Sequence, residues 1–456
     1  MKVRSAGLVI AASCLTLACC APQQAVAPAL DLEAAVARRQ QALATVTGAI
    51  PSADVSAELR GRYVSGDGAG DEVVELFAAE DGLALRMAGV AAAPVRAEEG
   101  SLRVWIPTGH EFAVEPIEAS GGGLLFRGGS WRRDPGPRPA APDAGIEHVL
   151  GRYEPRPGEG SLLLDVLEWE GNLWLQVNDM FLLSAEYAPD GMELADNSLG
   201  LEHLEWVDTT NGSVGLGIAD GGSVYRTLWR TFGVQRGPTF KIEPVSPVAQ
   251  LREAALAASP PTEGAELRAP ELVELAAHEP GIRLDIRYAT TNNFMGAVFY
   301  EQPRAFMQRP AAEALGRVQR RLAEQGYGLL VYDAYRPWFA TKMFWDATPE
   351  DKKQFVADPA NGSRHNRGCA VDLTLVDLAT GQPVDMTGGY DEFTERSYTF
   401  YPGGTDRQRW HRELLRRAME AERFAVYEYE WWHFDFHEWA EYPILDRSFD
   451  SLEDAE

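Results

Sequence analysis

The sequence predicts an α+β C-terminal domain, with helices on a mostly antiparallel sheet, preceded by a β-rich region of two small repeated β-domains. Three observations carry this. From Leu59 the chain reads as short runs of alternating or β-branched residues broken by Gly, Asp and Asn, such as Glu72-Val73-Val74-Glu75-Leu76 and Leu102-Arg103-Val104-Trp105-Ile106. A second block then resembles the first: Gly61-Arg62-Tyr63 recurs as Gly151-Arg152-Tyr153, and Phe126-Arg127 before Trp131 recurs as Tyr225-Arg226 before Trp229. Beyond the Pro-rich stretch Ala258-Ser259-Pro260-Pro261-Thr262, helical and strand signals mix. One continuous β-sandwich is the alternative to two repeated domains in the first half.

Length and composition bound the rest. At about 150 residues per domain, 456 residues make about three domains. A hydrophobic share of 45% supplies material for packed cores and sets the chain apart from disordered sequences. The formal net charge of −26 argues against nucleic acid and anionic membrane surfaces as partners, since a binder of either needs a basic face. Of the four cysteines, Cys14, Cys19 and Cys20 lie within the first 20 residues and Cys369 stands alone in the body of the chain. An intramolecular disulfide framework is therefore excluded once the leader is removed.

That leader has a short basic start, Met1-Lys2-Val3-Arg4, and an apolar run from Ala6 to Ala18 that is too short to span a bilayer. It ends in Leu15-Thr16-Leu17-Ala18-Cys19-Cys20, which resembles the lipobox of bacterial lipoproteins, where a cysteine is acylated. Cys19 has the small Ala18 before it, whereas Cys20 has Leu17 three before, so both remain candidates for lipidation. A plain secretory signal is the alternative. The expectation is an exported protein, lipid-anchored in the cell envelope and facing the periplasm. A linker with a helix-like stretch near Leu30 to Thr45 follows.

In the last domain, Pro310 opens a helix whose face is Leu315, Val318 and Leu322, and Gly328 to Asp333 reads as a buried strand. Thr405 and Gln408 have capping-box spacing ahead of Trp410, Leu414 and Ala418. Cys369 to Val376 and Phe424 to Phe436 are strand-like. The lone His110, His148 and His203 of the β-rich half lack ligand spacing, so chemistry is not expected there.

Five of the eight histidines fall after residue 270, and two of them sit in dense constellations. In Ser363-Arg364-His365-Asn366-Arg367-Gly368-Cys369-Ala370-Val371-Asp372, a Gly between His365 and Asp372 lets the chain double back so that both reach one ion. Glu430-Trp431-Trp432-His433 adds a second imidazole and a second carboxylate. Two imidazoles and one carboxylate are a usual ligand set for a catalytic Zn²⁺ with its fourth position left to water, and the spare carboxylate beside that water points to hydrolysis. Each residue alone has a structural explanation. Their conjunction in one domain is what carries the reading. His437, on the strand face of His433 and Asp435, is a competing ligand candidate, expected instead to support a ligand from behind or to lie at the surface.

Both constellations resemble those of the VanX-type D-alanyl-D-alanine dipeptidases, among the zinc D-Ala-D-Ala peptidases with S-x-H-x-x-G-x-A-x-D and E-x-W-H. Asp285-Ile286-Arg287-Tyr288-Ala289-Thr290-Thr291-Asn292-Asn293-Phe294 and Asp333-Ala334-Tyr335-Arg336-Pro337 are similar to further segments of that family. The resemblance implies Zn²⁺ bound by His365, Asp372 and His433, with Glu430 as general base and Arg336 stabilising the oxyanion. It also implies Ser363, Asp391 and Tyr288 on the substrate, with Asp391 at the free ammonium of a dipeptide. An ion pair with Asp333 is the structural alternative for Arg336. Cys369 departs from the small residue expected there, as a buried filler or a fourth, inhibitory ligand.

The expected organisation is a lipoprotein signal peptide over 1–20, a linker and helix over 21–58, and β-rich domains over 59–140 and 145–245. A linker over 246–266 and a zinc D,D-dipeptidase domain over 267–456 complete it. The expected substrate is D-Ala-D-Ala. The alternatives are a D,D-carboxypeptidase or endopeptidase on peptidoglycan stem peptides and a non-catalytic binding lipoprotein, against which the intact Glu430 speaks.

Overall fold

In the computed structural model, residues 48–455 are described apart from 66–71, 196–202, 209–213, 233–240 and shorter breaks, most of them between strands. The leader, Cys19, Cys20 and the Leu30 to Thr45 stretch lie outside the described residues. The β-rich half forms two closed antiparallel barrels of eight strands each, both wound in chain order. The first runs from strand Gly61–Ser65 to strand Gly129–Arg133, which pair to close it. The second runs from strand Gly151–Glu154 to strand Ser223–Phe232, closed in the same way. Neither is part of a single sandwich. Eight strands enclose a lumen that side chains fill, here Leu76, Leu85, Val104 and Phe126 in one barrel and Val166, Leu175, Leu216 and Leu228 in the other.

The Gly-Arg-Tyr repeat marks equivalent positions. Gly61 and Gly151 open the first strand of each barrel with φ of 147° and 142°. The Tyr63 hydroxyl donates to the Leu59 carbonyl at 2.7 Å and the Tyr153 hydroxyl to the Val149 carbonyl at 2.6 Å, so each ring ties its strand to the chain four residues earlier. The second expected repeat does not hold. Phe126 and Trp131 lie on two strands joined by the turn Arg127-Gly128, whereas Tyr225 and Trp229 lie on one strand, because Arg226-Thr227-Leu228 contains no turn residue.

The barrels pack on each other through Phe77, Ala84, Leu167, Trp169 and Trp174. Arg86, fully buried, donates to Glu75 at 2.6 Å and lies against the rings of Phe77 and Trp169. In the second barrel Arg152 grips Asp165 through two bonds of 2.9 Å.

The C-terminal domain is built on a five-stranded sheet in the order Arg283–Leu284, Tyr327–Asp333, Ala370–Asp377, Glu430–Phe436, Phe424–Tyr427. Only its first pair is parallel. Helix Arg309–Ala323 has Pro at its first turn and buries Leu315, Val318 and Leu322. Helix Asp406–Glu420 has a reciprocal capping box between Thr405 and Gln408. Helix Trp338–Ala347, unanticipated from sequence, follows Pro337. Residues 246–266 differ from the expected linker: Val248–Ala257 is a helix that buries Leu251 and Ala255 in the C-terminal core, since residues four apart share a helix face.

The barrels are bolted to the N-terminus of helix Asp406–Glu420. Asp406 accepts from Arg62 Nη1 of the first barrel at 3.1 Å, and its own N–H donates to Glu168 of the second at 2.8 Å. Among the described residues no helix is long and apolar enough to cross a membrane.

Candidate metallopeptidase site

Ser363 caps the short 3₁₀ turn Arg364–Arg367: its hydroxyl accepts from the His365 N–H, and the Asn366 side chain reaches back to the Ser363 N–H at 2.7 Å. The turn ends at Gly368, in the left-handed region at φ 68°. A Cβ there would stand 2.5 Å from Leu272 Cδ2, so both conformation and space call for glycine. The chain then enters strand Ala370–Asp377, whose Asp372 pairs in register with His433 on the neighbouring strand. His365, Asp372 and His433 converge as a buried cluster with ligand atoms within 4.8 Å of one another.

The residues present fit a metal ion. His365 Nε2 lies 3.3 Å from Asp372 Oδ1 and 3.2 Å from His433 Nδ1, which is itself 3.0 Å from Asp372 Oδ1. Tetrahedral ligands at Zn–N and Zn–O distances of about 2.0–2.1 Å stand about 3.3 Å apart. The remaining ring nitrogens are engaged: His365 Nδ1 with the Ala334 carbonyl at 2.7 Å and His433 Nε2 with Asp435 Oδ1 at 3.0 Å. Each of these bonds places the ring proton away from the cluster, so the inward nitrogen keeps its lone pair for an ion. Asp435 is in turn paired with Arg364 at 2.8 Å, and Tyr390 donates to Asp372 Oδ2 at 3.0 Å.

The electrostatics reflect a cluster crowded with carboxylates. Burial disfavours charge on His433, yet Asp435 and Asp372 raise its pKa well above the usual histidine range. Burial also opposes ionisation of Asp372, but the two imidazoles hold its pKa well below the ordinary value. A cation bound there would oppose the proton on His433, so metal binding and protonation compete at this site.

Glu430 Oε2 lies 3.9 Å from His433 Nδ1. Its side chain is 28% open to the cleft. The surrounding walls still desolvate it enough to push its pKa up to about 7, with His433 pulling it down and Asp372 pushing it up. Arg336 donates to Asp333 through Nε at 2.9 Å and has Nη2 3.8 Å from Asp372 Oδ2. The ion pair with Asp333 is real, and it also aims the guanidinium at the cluster. Burial works against the Arg336 charge, but Asp333 and its neighbours hold its pKa well above the ordinary value.

Asp391 sits at φ 59°, a left-handed conformation that Asp tolerates, and accepts from the Tyr288 hydroxyl at 3.1 Å. Burial, then the charge of Asp372, push its pKa well above the carboxylate range. Asp391, Tyr288, Ser363, Arg336 and Glu430 all line one cleft of about 710 Å³, together with His365, Asp372 and His433.

Other expected residues fall elsewhere. His437 pairs with Glu438 at 3.1 Å and is outside the cluster. Cys369 is a fully buried member of the core rather than a ligand, and burial pushes its thiol up to about 12. His148 stacks edge-on against Tyr187. Sequence reasoning did not assign roles to Asp435 or Tyr390; the period-two spacing of His433 and Asp435 was the available signal for the first.

Two histidines and an aspartate set for one ion, with a half-buried glutamate beside them in one cleft, define a metallopeptidase-type site. The D-ala-D-ala dipeptidase family profile (peptidase M15) matches residues 268–452. The chain is 38% identical to the D-alanyl-D-alanine dipeptidase of Escherichia coli (strain K12) over 175 residues, covering 38% of this chain and 89% of that protein. It is 37% identical over 172 residues to the D-alanyl-D-alanine dipeptidase of Enterococcus faecalis, covering 34% and 85%. That of Streptomyces coelicolor is 36% identical over 176 residues, covering 35% and 87%. The chain belongs to the D-ala-D-ala dipeptidase family through its C-terminal domain, and both barrels lie outside the matched stretch.

Proposed function

We propose that the protein is a zinc D,D-dipeptidase that hydrolyses D-alanyl-D-alanine to two D-alanine. The observation that carries this is the single cleft in which the His365, Asp372, His433 cluster, the base-like Glu430 and the ammonium-binding Asp391 meet. His365, Asp372 and His433 would hold the ion, which when bound supplies Lewis-acid polarisation of the scissile carbonyl and lowers the pKa of a bound water. Asp391, a buried carboxylate with the Tyr288 hydroxyl as a donor, receives the substrate's ammonium, which lets it ionise. An N-acylated peptide lacks that cation. Glu430, with its pKa near 7, takes the water's proton and delivers it to the leaving amine. Arg336, fixed by Asp333, stabilises the negative charge that develops on the carbonyl oxygen. Ser363 contributes first by fixing His365 through its cap, with its hydroxyl proton left for substrate.

The leader's resemblance to a lipobox supports export and a lipid anchor at Cys19 or Cys20, placing the enzyme at the periplasmic face of the envelope, where it would recycle cell-wall dipeptide. A second reading, a D,D-carboxypeptidase or endopeptidase on peptidoglycan stem peptides, draws on the cleft volume of about 710 Å³, which exceeds what a dipeptide fills. The test is D-Ala release by zinc-loaded protein from D-Ala-D-Ala and from an N-acylated tripeptide ending in D-Ala-D-Ala, with Glu430→Ala as control. Cleavage of the dipeptide alone supports the first reading and cleavage of the acylated peptide the second. Cleavage of neither overturns both.

A further inference from the structure

The matched family stretch begins at residue 268, so whatever the first barrel does for the cleft comes from outside the family's shared domain. Strands Phe424–Tyr427 and Glu430–Phe436 form a hairpin in which Tyr427 pairs with Glu430, leaving Glu428 and Tyr429 as its two turn residues. Glu430, read above as the base, is thus the first residue after the turn. Loops and turns are among the segments of a fold most free to move, and here the turn is held from outside the hairpin. Thr399 binds the Glu428 carbonyl twice, through its N–H at 3.0 Å and its hydroxyl at 3.1 Å. On the same turn, Arg60 Nη1 lies 3.6 Å from the Glu428 carboxylate, and the Arg60 guanidinium stacks 3.6 Å over the ring of Phe400.

Arg60 stands immediately before the first strand of the first barrel. Its own position is fixed by its carbonyl, which accepts from Arg133 of the barrel and, at 2.9 Å, from Arg416 of helix Asp406–Glu420. One residue therefore joins barrel and helix through its carbonyl, and the Thr399 to Phe400 loop and the turn that leads into Glu430 through its guanidinium. The far faces of these two segments are cleft wall: Tyr398 and Tyr429 pack edge-on at 5.2 Å, and both line the substrate cleft.

We propose that Arg60 is a positioning residue for the hydrolytic reaction, through which the first barrel holds the Glu428-Tyr429 turn and so sets the placement of Glu430. This rests on the dipeptidase reading for its kinetic consequence and on geometry alone for its structural one. The substrate's ammonium is held at Asp391, on a different segment. Loss of Arg60 should therefore act on turnover more than on ground-state binding.

The experiment uses the full chain, zinc-loaded, as wild type, Arg60→Ala, Arg60→Lys and Glu428→Gln. With D-Ala-D-Ala, Arg60→Ala is expected to lower kcat about tenfold, since a displaced catalytic group costs up to about a hundredfold per Å, with KM within about twofold. Arg60→Lys, which keeps a cation for Glu428 and Phe400, is expected to recover most of that loss. Amide hydrogen exchange is read in parallel and needs no activity. Residues 398–401 and 427–430 should exchange faster in Arg60→Ala, with strand Tyr327–Asp333 unchanged. Wild-type kcat together with unaltered exchange in those segments overturns the proposal, as does a rise in KM at constant kcat. Should Arg60→Ala fail to fold, Glu428→Gln decides in the same way, because it leaves Arg60 and its carbonyl bonds in place. A wild type that does not cleave the dipeptide refutes the dipeptidase reading, and the exchange comparison then still decides whether Arg60 holds the turn.

Discussion

Replacing Asp391 by Asn isolates the charge that the dipeptide's ammonium is proposed to meet. Asn matches Asp in volume and is at home in the left-handed conformation that residue 391 adopts at φ 59°. It also keeps an oxygen to accept from the Tyr288 hydroxyl, now at 3.1 Å. What disappears is the negative charge. Truncating one partner of a buried, hydrogen-bonded charge pair costs about 2–5 kcal/mol. The lower end applies here, because burial and the charge of Asp372 raise the Asp391 pKa well above the carboxylate range, so that ionising it consumes part of the gain. About 2 kcal/mol is about thirtyfold in kcat/KM. The loss should appear mainly in KM, and in the wild type KM should rise as pH falls, since the ammonium is met by the ionised Asp391 and the raised pKa favours its protonated form. Steady-state D-Ala release at several pH values measures both. Hydrolysis by Asp391→Asn within twofold of wild type would refute the assignment of the ammonium to this carboxylate.

Glu430→Gln should lower kcat by about a hundred- to ten-thousandfold while leaving zinc content, measured by metal analysis, unchanged. In the wild type, kcat/KM should rise with pH through a limb at or below about 7, since Glu430 must be ionised to accept a proton and a bound cation lowers its pKa. Chelation should abolish activity, with zinc restoring it, and leave the far-ultraviolet circular dichroism unaltered, because strands and a capped turn hold the ligands. Glu75 gives a stability signature: burial opposes its ionisation, but Arg86 and Arg409 lower its folded pKa to about 2. A depressed carboxylate stabilises the fold above its unfolded pKa, so a contribution on the order of 3 kcal/mol should fade as pH falls from about 4.5 to about 2. Urea titrations of wild type and Glu75→Gln across that range should show the dependence weakened in the variant.

The metal cluster was legible because its parts are local. His365 and Asp372 are separated by one glycine-hinged turn, and Glu430 and His433 stand close together on one strand. The capping box at Thr405 was legible for the same reason. Barrel closure was not, since it depends on pairing Tyr63 with Arg133 and Tyr153 with Arg230, and alternation along a strand carries no mark of its distant neighbour. Helix Val248–Ala257 hid inside a Pro-flanked, Ala-rich stretch whose apolar face consists of little more than Leu251 and Ala255. The bolt between Arg62 and Asp406 joins residues 344 positions apart and has no local signal at all. Asp435 could have been found: it stands two residues beyond His433 on the same strand, where side chains share a face.

Ring closure of the two barrels has a colloidal consequence. An open sheet leaves a row of unpaired amides that invites strand addition from another chain, and a closed barrel has no such row. Sixteen of the strands are removed from that hazard in this way. The five-stranded sheet retains two borders. One, Arg283–Leu284, is only two residues long, and the other, Phe424–Tyr427, has Phe424, Ala425 and Val426 facing the cavity against the first barrel and helix Asp406–Glu420. Among the described residues the borders that remain, on this sheet and on the two-stranded sheet of Leu272–Glu274 and Phe306–Gln308, are short, so molecules crowded together offer one another only brief templates for strand addition.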